Sequence, residues 1–210
     1  MAKKNEVVKL STSSVDRGES NMIWIEGFGE KALKDFYEQF VKFEADESVQ
    51  IIPIVVSSFG GGVYNALAMR DIIKSSQKTV ATIALGKAMS AGALLLAAGT
   101  KGFRFASPDT QVLIHEVSSG NHGKATDVLS DAQALKHINK LMLANMASDM
   151  GKKPSDLENK IKHLKNADWF LTAKQAKNWG VIDHIGVPRP FEGGHTLTLV
   201  RPMNHKRPAK

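Results

Sequence analysis

The chain contains no cysteine, which excludes disulfide bridges and thiolate metal sites. Long apolar runs are also missing, because the longest one, residues 88–98, is interrupted by Ser90 and is too short to span a bilayer. Residues 1–6 lack the apolar segment of a secretory signal peptide. These absences predict a cytoplasmic protein with no membrane partner.

The positive charge of the chain is unevenly distributed. The net charge is +7 over 210 residues, and residues 188–210 hold five Lys or Arg and one Glu, which leaves the rest close to neutral. This distribution favours a solvated basic tail over a nucleic-acid-binding surface. A hydrophobic content of 42% and a charged content of 23% are ordinary for a globular protein of one domain.

Three regions differ in composition. Residues 1–20 are polar and rich in Ser and Lys, which predicts a flexible N-terminal arm. Residues 21–187 are expected to form one domain. Residues 188–210 are rich in Pro, Gly and basic residues, and we expect a basic C-terminal extension that is irregular or mobile.

Apolar strand patterns alternate with amphipathic helix patterns along the central region. Strands are predicted at 22–26, 49–57, 79–85, 102–106 and 111–116. Helices are predicted at 31–44, 63–75, 91–98 and 127–150, with shorter ones from 155 and 172. The alternation predicts a layered α/β fold with mostly parallel strands.

Ser90 and His115 are the two residues that point most directly to chemistry. Ser90 lies in a run of small residues between a predicted strand and a helix, where helix N–H groups can stabilise an oxyanion. His115 ends an apolar strand, and active residues of parallel α/β sheets collect at the carboxyl ends of strands. A serine needs a base to become a nucleophile, and a strand-end histidine can supply it. Taken singly, a tight junction and a core histidine explain these residues equally well.

A run of three glycines, residues 60–62, separates a buried strand from a helix. It matches neither a dinucleotide-binding fingerprint nor a Walker A loop. Glycines here permit close backbone approach to a ligand, although a plain tight turn is an equal alternative. The predicted role is to present backbone N–H groups to an oxyanion.

The sequence offers several carboxylates that are able to orient the imidazole of His115. Asp168 precedes an aromatic pair and is expected to be partly buried, while Asp127 and Asp183 are alternatives. The remaining histidines show no metal-ligand spacing, so neither a metal nor an organic cofactor is expected; they are His122, His137, His163, His184, His195 and His205.

Together these residues resemble the proteolytic subunit of the Clp protease over about residues 22–185. The matching segments are 57–61, 86–93, 114–115, 123–127, 168–172 and 180–183, with Ala176. The spacings from Gly60 to Ser90 and from Ser90 to His115 agree with the family without a gap.

The resemblance implies a ClpP/crotonase-type fold and a serine endopeptidase with a triad of Ser90, His115 and Asp168. It places the oxyanion donors at the backbone N–H groups of Gly61 and Ala91. It also implies a protruding handle helix at about 127–150 and assembly into a heptameric ring or stacked heptamers. The expected substrates are peptides or unfolded proteins.

The chain departs from the family pattern around the catalytic residues. Phe59 replaces the usual Pro before the glycines, and Ala91 replaces the usual Met after the serine. The His-Gln-Pro pattern continues here as Glu116-Val117, and the segment from His115 to Asp168 is longer than usual. Only the backbone N–H of residue 91 is needed for an oxyanion, so the chemistry is expected to survive.

Two further departures concern assembly. Ala167 stands where the family commonly has an Arg that contacts the opposite ring, so weaker ring pairing is expected. The strand before the glycine turn reads Pro53-Ile54-Val55-Val56, where the family usually carries aromatic residues that help to dock the ATPase. We therefore expect the protein to act without a housekeeping Clp-type ATPase.

Other functions remain open from the sequence. A crotonase-type acyl-CoA enzyme shares the two-amide oxyanion site but does not need Ser90 and His115 in register. A catalytically silent scaffold or ring subunit is a third interpretation. A Ser–Lys peptidase is a minor fourth, with Lys87 poorly placed beside the serine.

Overall fold

The computed structural model describes residues 9–11, 22–120, 122–164, 168–190 and 196–198. Within these residues the strands are β1 (Lys9–Ser11), β2 (Ile23–Ile25), β3 (Ile51–Ser58), β4 (Thr79–Met89), β5 (Arg104–Ala106), β6 (Gln111–Ile114), β7 (Trp169–Thr172), β8 (His184–Ile185), β9 (Arg189–Pro190) and β10 (Thr196–Thr198). The helices are α1 (Glu30–Ala45), α2 (Val63–Ser75), α3 (Ala91–Ala98), α4 (Ala125–Asp149), α5 (Pro154–His163) and α6 (Ala173–Trp179).

A seven-stranded sheet forms the centre of the protein. Strands β2, β3, β4, β5 and β8 lie side by side and run parallel. Strand β6 pairs in parallel with the last residues of β4, and β7 runs antiparallel to β6. The predicted layered α/β fold with mostly parallel strands is confirmed.

The most apolar segments of the sequence form the interior of this fold. Strand β3 is almost entirely buried, as expected for a central parallel strand. Helix α3 has the sequence AGALLLAA, and all eight of its residues are buried. A helix without a polar face must be enclosed by the core, so its N-terminus is held rigidly at the end of β4.

Helix α4 divides into an exposed first part and a buried second part. Every residue from 125 to 134 is exposed, in agreement with the expected handle helix. The buried residues are Ile138, Met142, Leu143, Met146 and Ala147. Leu141 is 42% exposed, because the buried face follows the i, i+4 series from Ile138 and includes Leu143 instead.

Strands β1, β9 and β10 form a separate antiparallel sheet from the two ends of the chain. Lys9–Ser11 pairs with Thr196–Thr198, and Leu197 and Thr198 pair with residues of β9. Beyond these short strands, the flexible arm expected at 1–20 and the irregular or mobile extension expected at 188–210 stay predictions. The pairing joins segments at opposite ends of the chain, which local composition does not reveal. Residues 1–8, 12–20, 191–195 and 199–210 lie outside the described residues, and the domain limits remain predictions.

Two largely buried carboxylates, Asp183 and Asp149, form ion pairs that join helices and strands. Asp183 accepts hydrogen bonds from Nη2 and Nε of Arg104 at 2.6 and 2.8 Å. Asp149 accepts from Nε of Arg70 at 2.7 Å and pairs with Nζ of Lys74 at 2.9 Å. Arg104 also donates to the backbone carbonyl of Asp149 at 2.9 Å. The end of α4 is thereby attached to α2 and β5.

The carboxyl of Asp183 is held in its charged form. Burial by itself raises its pKa, but the hydrogen bonds and charge of Arg104, with the N–H groups of Gly102 and Arg104, outweigh burial and lower the pKa below its ordinary value.

In the described part of the chain, no helix combines the length and apolar character needed to cross a membrane.

Candidate active site

Ser90 joins the end of β4 to the start of α3 in a strained conformation. Its φ and ψ are 55° and −119°, and among the described residues it is the one non-glycine with positive φ. Its N–H donates to the carbonyl of Leu113 at 2.8 Å, and its carbonyl accepts from the N–H groups of Ala93 and Leu94. Strain of this kind costs about 1–3 kcal/mol and is concentrated at functional sites.

The glycine turn lies directly against Ser90. A Cβ on Gly60, whose φ is +106°, would lie 2.8 Å from Cβ of Ser90 and 2.9 Å from the carbonyl oxygen of Met89. Gly61, whose φ is +151°, pairs with Phe28 in an isolated parallel bridge. Only glycine permits this close approach at residue 60.

Ser58 fixes the start of the glycine turn, a role that the sequence analysis missed. Its buried hydroxyl donates to the carbonyl of Glu26 at 2.7 Å and accepts from the N–H of Gly60 at 3.1 Å. The N–H of Gly60 is therefore occupied within the turn. An apolar strand that ends in two serines gives little indication of such a contact.

Strand pairing brings His115 next to Asp168. Strand β6 ends at Ile114, which pairs with Trp169 in the antiparallel ladder to β7. The next pair in this register is His115 opposite Asp168. On the other side, β6 pairs with β4 up to Met89, so His115 follows the strand beside Ser90. Strand β6 thus places His115 near the Ser90 junction on one side and opposite Asp168 on the other.

The imidazole and the carboxylate face each other without forming a hydrogen bond. Nδ1 of His115 lies 3.8 Å from Oδ1 of Asp168, and the two side chains are 24% and 55% exposed. Asp168 is thus more exposed than the sequence predicted. The strand after it is anchored by Trp169, whose ring meets that of Trp179 edge-on at 4.6 Å. The aromatic pair fixes the strand but does not cover the carboxylate.

A cavity of about 170 Å³ opens at the junction of these elements. Its lining contains Ser90, Ala91 and His115 together with Gly61 and Gly62. The remaining lining residues are mostly apolar; they are Val63, Ala66, Leu94, Val117, Ser118 and Met142. The serine, the histidine and both predicted oxyanion residues therefore border one cavity.

The alternative acids and bases are occupied elsewhere or lie apart from His115. Asp183 is bound by Arg104, and Asp127 is exposed in the first turn of α4. The ammonium of Lys87 lies 4.7 Å from the centre of the Phe59 ring. Asp168 is the carboxylate that the described structure pairs with His115.

The arrangement contains the groups needed for acyl transfer. A hydroxyl stands at the N-terminus of a buried helix, an imidazole borders the same cavity, and a carboxylate lies on the Nδ1 side of the imidazole. The first N–H groups of a helix lack intrahelical acceptors, so residue 91 is suited to bind a developing oxyanion. Over the described residues, no group of three or more His, Asp or Glu side chains is placed to hold a metal ion.

Comparison with known protein families gives one match that spans most of the chain. The family model described as Clp protease matches residues 9–189. This range includes the serine, the histidine, the aspartate and the glycine turn.

Proposed function

The chain belongs to the Clp protease family, and from this premise we propose that it is a serine endopeptidase with Ser90 as nucleophile, His115 as base and Asp168 as the orienting acid. The family supports serine peptidase activity in general. The assignment of individual residues is supported by the strained Ser90 at the start of α3, which borders one cavity with His115.

In the proposed mechanism, Ser90 Oγ attacks the carbonyl carbon of the scissile peptide bond. His115 takes the hydroxyl proton and then delivers it to the leaving amine, after which it activates water to release the acyl group. The backbone N–H groups of Gly61 and Ala91 stabilise the oxyanion. Asp168 closes from 3.8 Å to hydrogen-bond distance when substrate is bound, since catalytic contacts are often long in free enzymes.

The cavity beside Ser90 supports a preference for apolar substrate side chains. Val63, Ala66, Leu94 and Met142 line it without contributing a charge. A volume of about 170 Å³ accommodates a side chain of leucine or methionine size. The proposed substrates are peptides or unfolded proteins with such residues next to the cleaved bond.

Hydrolysis of a fluorogenic peptide that carries Leu or Met before the cleaved bond tests the proposed activity. The wild-type protein is expected to cleave it, and Ser90→Ala is expected to lower turnover by on the order of 10⁴-fold or more. Unchanged turnover by the purified variant would exclude Ser90 as the nucleophile and favour a different enzyme or a scaffold.

We also propose that the protein assembles into a heptameric ring, either single or stacked. The first part of α4 presents exposed apolar side chains to solvent, including Leu129 at 66% and Val128 at 39% exposure. Such a surface is suited to pairing with a second copy. Ala167, which predicts weaker ring pairing, lies outside the described residues. Native mass spectrometry is expected to give multiples of seven chains, and a stable monomer at micromolar concentration would reject the ring.

We further propose that the protein works without a housekeeping Clp-type ATPase. Pro53 and Val55 occupy β3 and are both buried, and Ser75 ends α2, so these positions offer no exposed aromatic side chain. One observation favours the opposite: Trp24 on β2, which pairs with Val55, is 49% exposed. ATP-dependent degradation of a tagged folded protein after addition of a Clp-type ATPase would overturn the proposal; cleavage confined to unfolded or short substrates would support it.

A further inference from the structure

The two residues that follow His115 are bound to helix α4 by one side chain. Nδ2 of Asn139 donates to Oε1 of Glu116 at 3.1 Å, and the N–H of Val117 donates to Oδ1 of Asn139 at 3.0 Å. One N–H and the oxygen of this amide are therefore both used. Residues 115–120 belong to no helix or strand, so these bonds substitute for regular pairing.

His115 is the first residue beyond the strand pairs that hold β6 in the sheet. The β6–β7 ladder stops at the pair of Ile114 and Trp169, and the β4–β6 ladder stops at Met89 and Leu113. The imidazole is also only loosely held by Asp168, at 3.8 Å. The backbone after His115 is held by its hydrogen bonds to α4 and by the packing of Val117 against the core.

The same attachment joins two walls of the cavity. Val117 and Ser118 line it together with His115, and Met142 lines it from the next turn of α4 after Asn139. Asn139 is half-buried, and Met142 is buried in the core. The loop after His115 is thus attached to a well-packed part of α4.

We propose that Asn139 and Glu116 are a positioning pair that directs the imidazole of His115 toward Ser90. The role in hydrolysis rests on the proposed peptidase function, whereas the effect on the orientation of His115 does not. Neither residue touches the reacting atoms in this account. The pair acts through the backbone of residues 116 and 117, and a displacement of about 1 Å in a catalytic group lowers turnover substantially.

Three variants separate this role from a general effect on folding. Asn139→Asp keeps the size of the side chain and an acceptor for Val117, but it sets a carboxylate against that of Glu116. Adding Glu116→Gln to that variant supplies an amide donor to the new carboxylate and restores the pair. The control is Gln50→Glu, which makes the same change of charge at an exposed amide before β3, at the opposite end of that strand from the glycine turn.

Two measurements are made on the full chain. Steady-state hydrolysis of the fluorogenic peptide gives kcat and KM. Carbethoxylation by diethyl pyrocarbonate, followed by peptide mass spectrometry, gives the modification rate of His115 relative to the exposed His163 on α5. The second measurement requires no peptidase activity.

Asn139→Asp is expected to lower kcat roughly ten- to a hundredfold with little change in KM. It is also expected to accelerate modification of His115 several-fold relative to His163. Addition of Glu116→Gln should return both quantities toward the wild-type values, and Gln50→Glu should change neither.

The positioning role is overturned if His115 is modified at the same relative rate in Asn139→Asp and Gln50→Glu, or if Glu116→Gln brings no recovery. If the wild-type protein hydrolyses no peptide, the proposed function fails. The relative rate of His115 modification still decides whether the pair positions the imidazole.

Discussion

The two halves of the candidate active site are built in different ways. Ser90 and the glycine turn lie between β4 and the buried helix α3, with van der Waals contacts that only glycine permits. His115 and Asp168 lie beyond the ends of their strands, partly exposed and 3.8 Å apart. Core packing therefore fixes the nucleophile, whereas the backbone that follows the base is held by hydrogen bonds to Asn139.

This difference predicts which half of the site can change activity without changing stability. A strained residue such as Ser90 keeps its conformation only because the surrounding core leaves no alternative. A loop held by individual hydrogen bonds responds to free-energy changes of about 1 kcal/mol per bond. We therefore expect changes of activity without loss of stability to arise on the side of His115.

The largest effect in this comparison is expected from Asp168→Asn. The substitution removes the charge that stabilises the imidazolium and favours the wrong tautomer of His115, so turnover should fall roughly 10⁴-fold. Because Asp168 is exposed, the melting temperature of the variant should stay close to that of the wild type. Peptide hydrolysis and thermal melting measure both. Near-normal turnover, combined with inactivity of Asp127→Asn, would move the acid to Asp127.

Gly60→Ala is expected to damage the packed half in both activity and stability. Its Cβ would lie 2.8 Å from that of Ser90, so turnover should fall on the order of 10²-fold as the oxyanion site is displaced. Overpacking should also cost about 1–3 kcal/mol of unfolding free energy.

The matched control for Gly60→Ala is Gly86→Ala, at a glycine with φ +73° and no atom within 4 Å of a new Cβ. In this control the new Cβ adds backbone strain without a steric clash. Kinetics and urea denaturation of both variants separate steric displacement from strain. Equal losses in the two would show that contact with Ser90 is not decisive.

Asp183→Asn tests the ion pair of Arg104 and Asp183, which belongs to neither half of the site. Removing this carboxylate leaves Arg104 buried without its partner, which should lower the unfolding free energy by about 3–5 kcal/mol at pH 7. The pKa of Asp183 is lowered in the folded state, so its contribution to stability is present at pH values above its unfolded pKa of about 4. That contribution is lost as the pH falls through the folded pKa.

Urea denaturation at pH 7 and pH 3 measures this contribution. The wild type should lose more stability between the two pH values than Asp183→Asn does. Asp71→Asn, at a side chain that is 74% exposed, is the control and should behave like the wild type. An equal loss on acidification in all three proteins would contradict the assignment.

The smallest effect is expected from Phe59→Ala. The ring is 74% exposed and contacts the ammonium of Lys87, so its removal should change the unfolding free energy by no more than about 0.5–1 kcal/mol. Chemical denaturation gives this value directly. A loss of several kcal/mol would indicate that Phe59 belongs to the packed half.

The sequence predicted the parts of the site that depend on local pattern. The strand–serine–helix junction and the strand-end histidine were visible as apolar runs broken by small or polar residues. The contact of Gly60 with Ser90 and the bond from Ser58 to Glu26 depend on how strands pair, which periodicity does not give.

The high exposure of Asp168 and the pairing of the chain ends do not follow from local sequence pattern, for related reasons. An aromatic neighbour in sequence does not cover a carboxylate when strand alternation turns its ring to the other side. Likewise, β1 and β10 are short segments whose partner is far away in the chain. Tertiary pairing determines both features.

Labelling with a fluorophosphonate tests most directly the central claim that Ser90 is an activated nucleophile. Peptide mass spectrometry of the labelled wild-type protein is expected to find the adduct on Ser90. His115→Ala is expected to slow that labelling by on the order of 10³-fold or more, because the serine loses its base. An adduct on another residue, or equal labelling rates in the wild type and His115→Ala, would contradict the account.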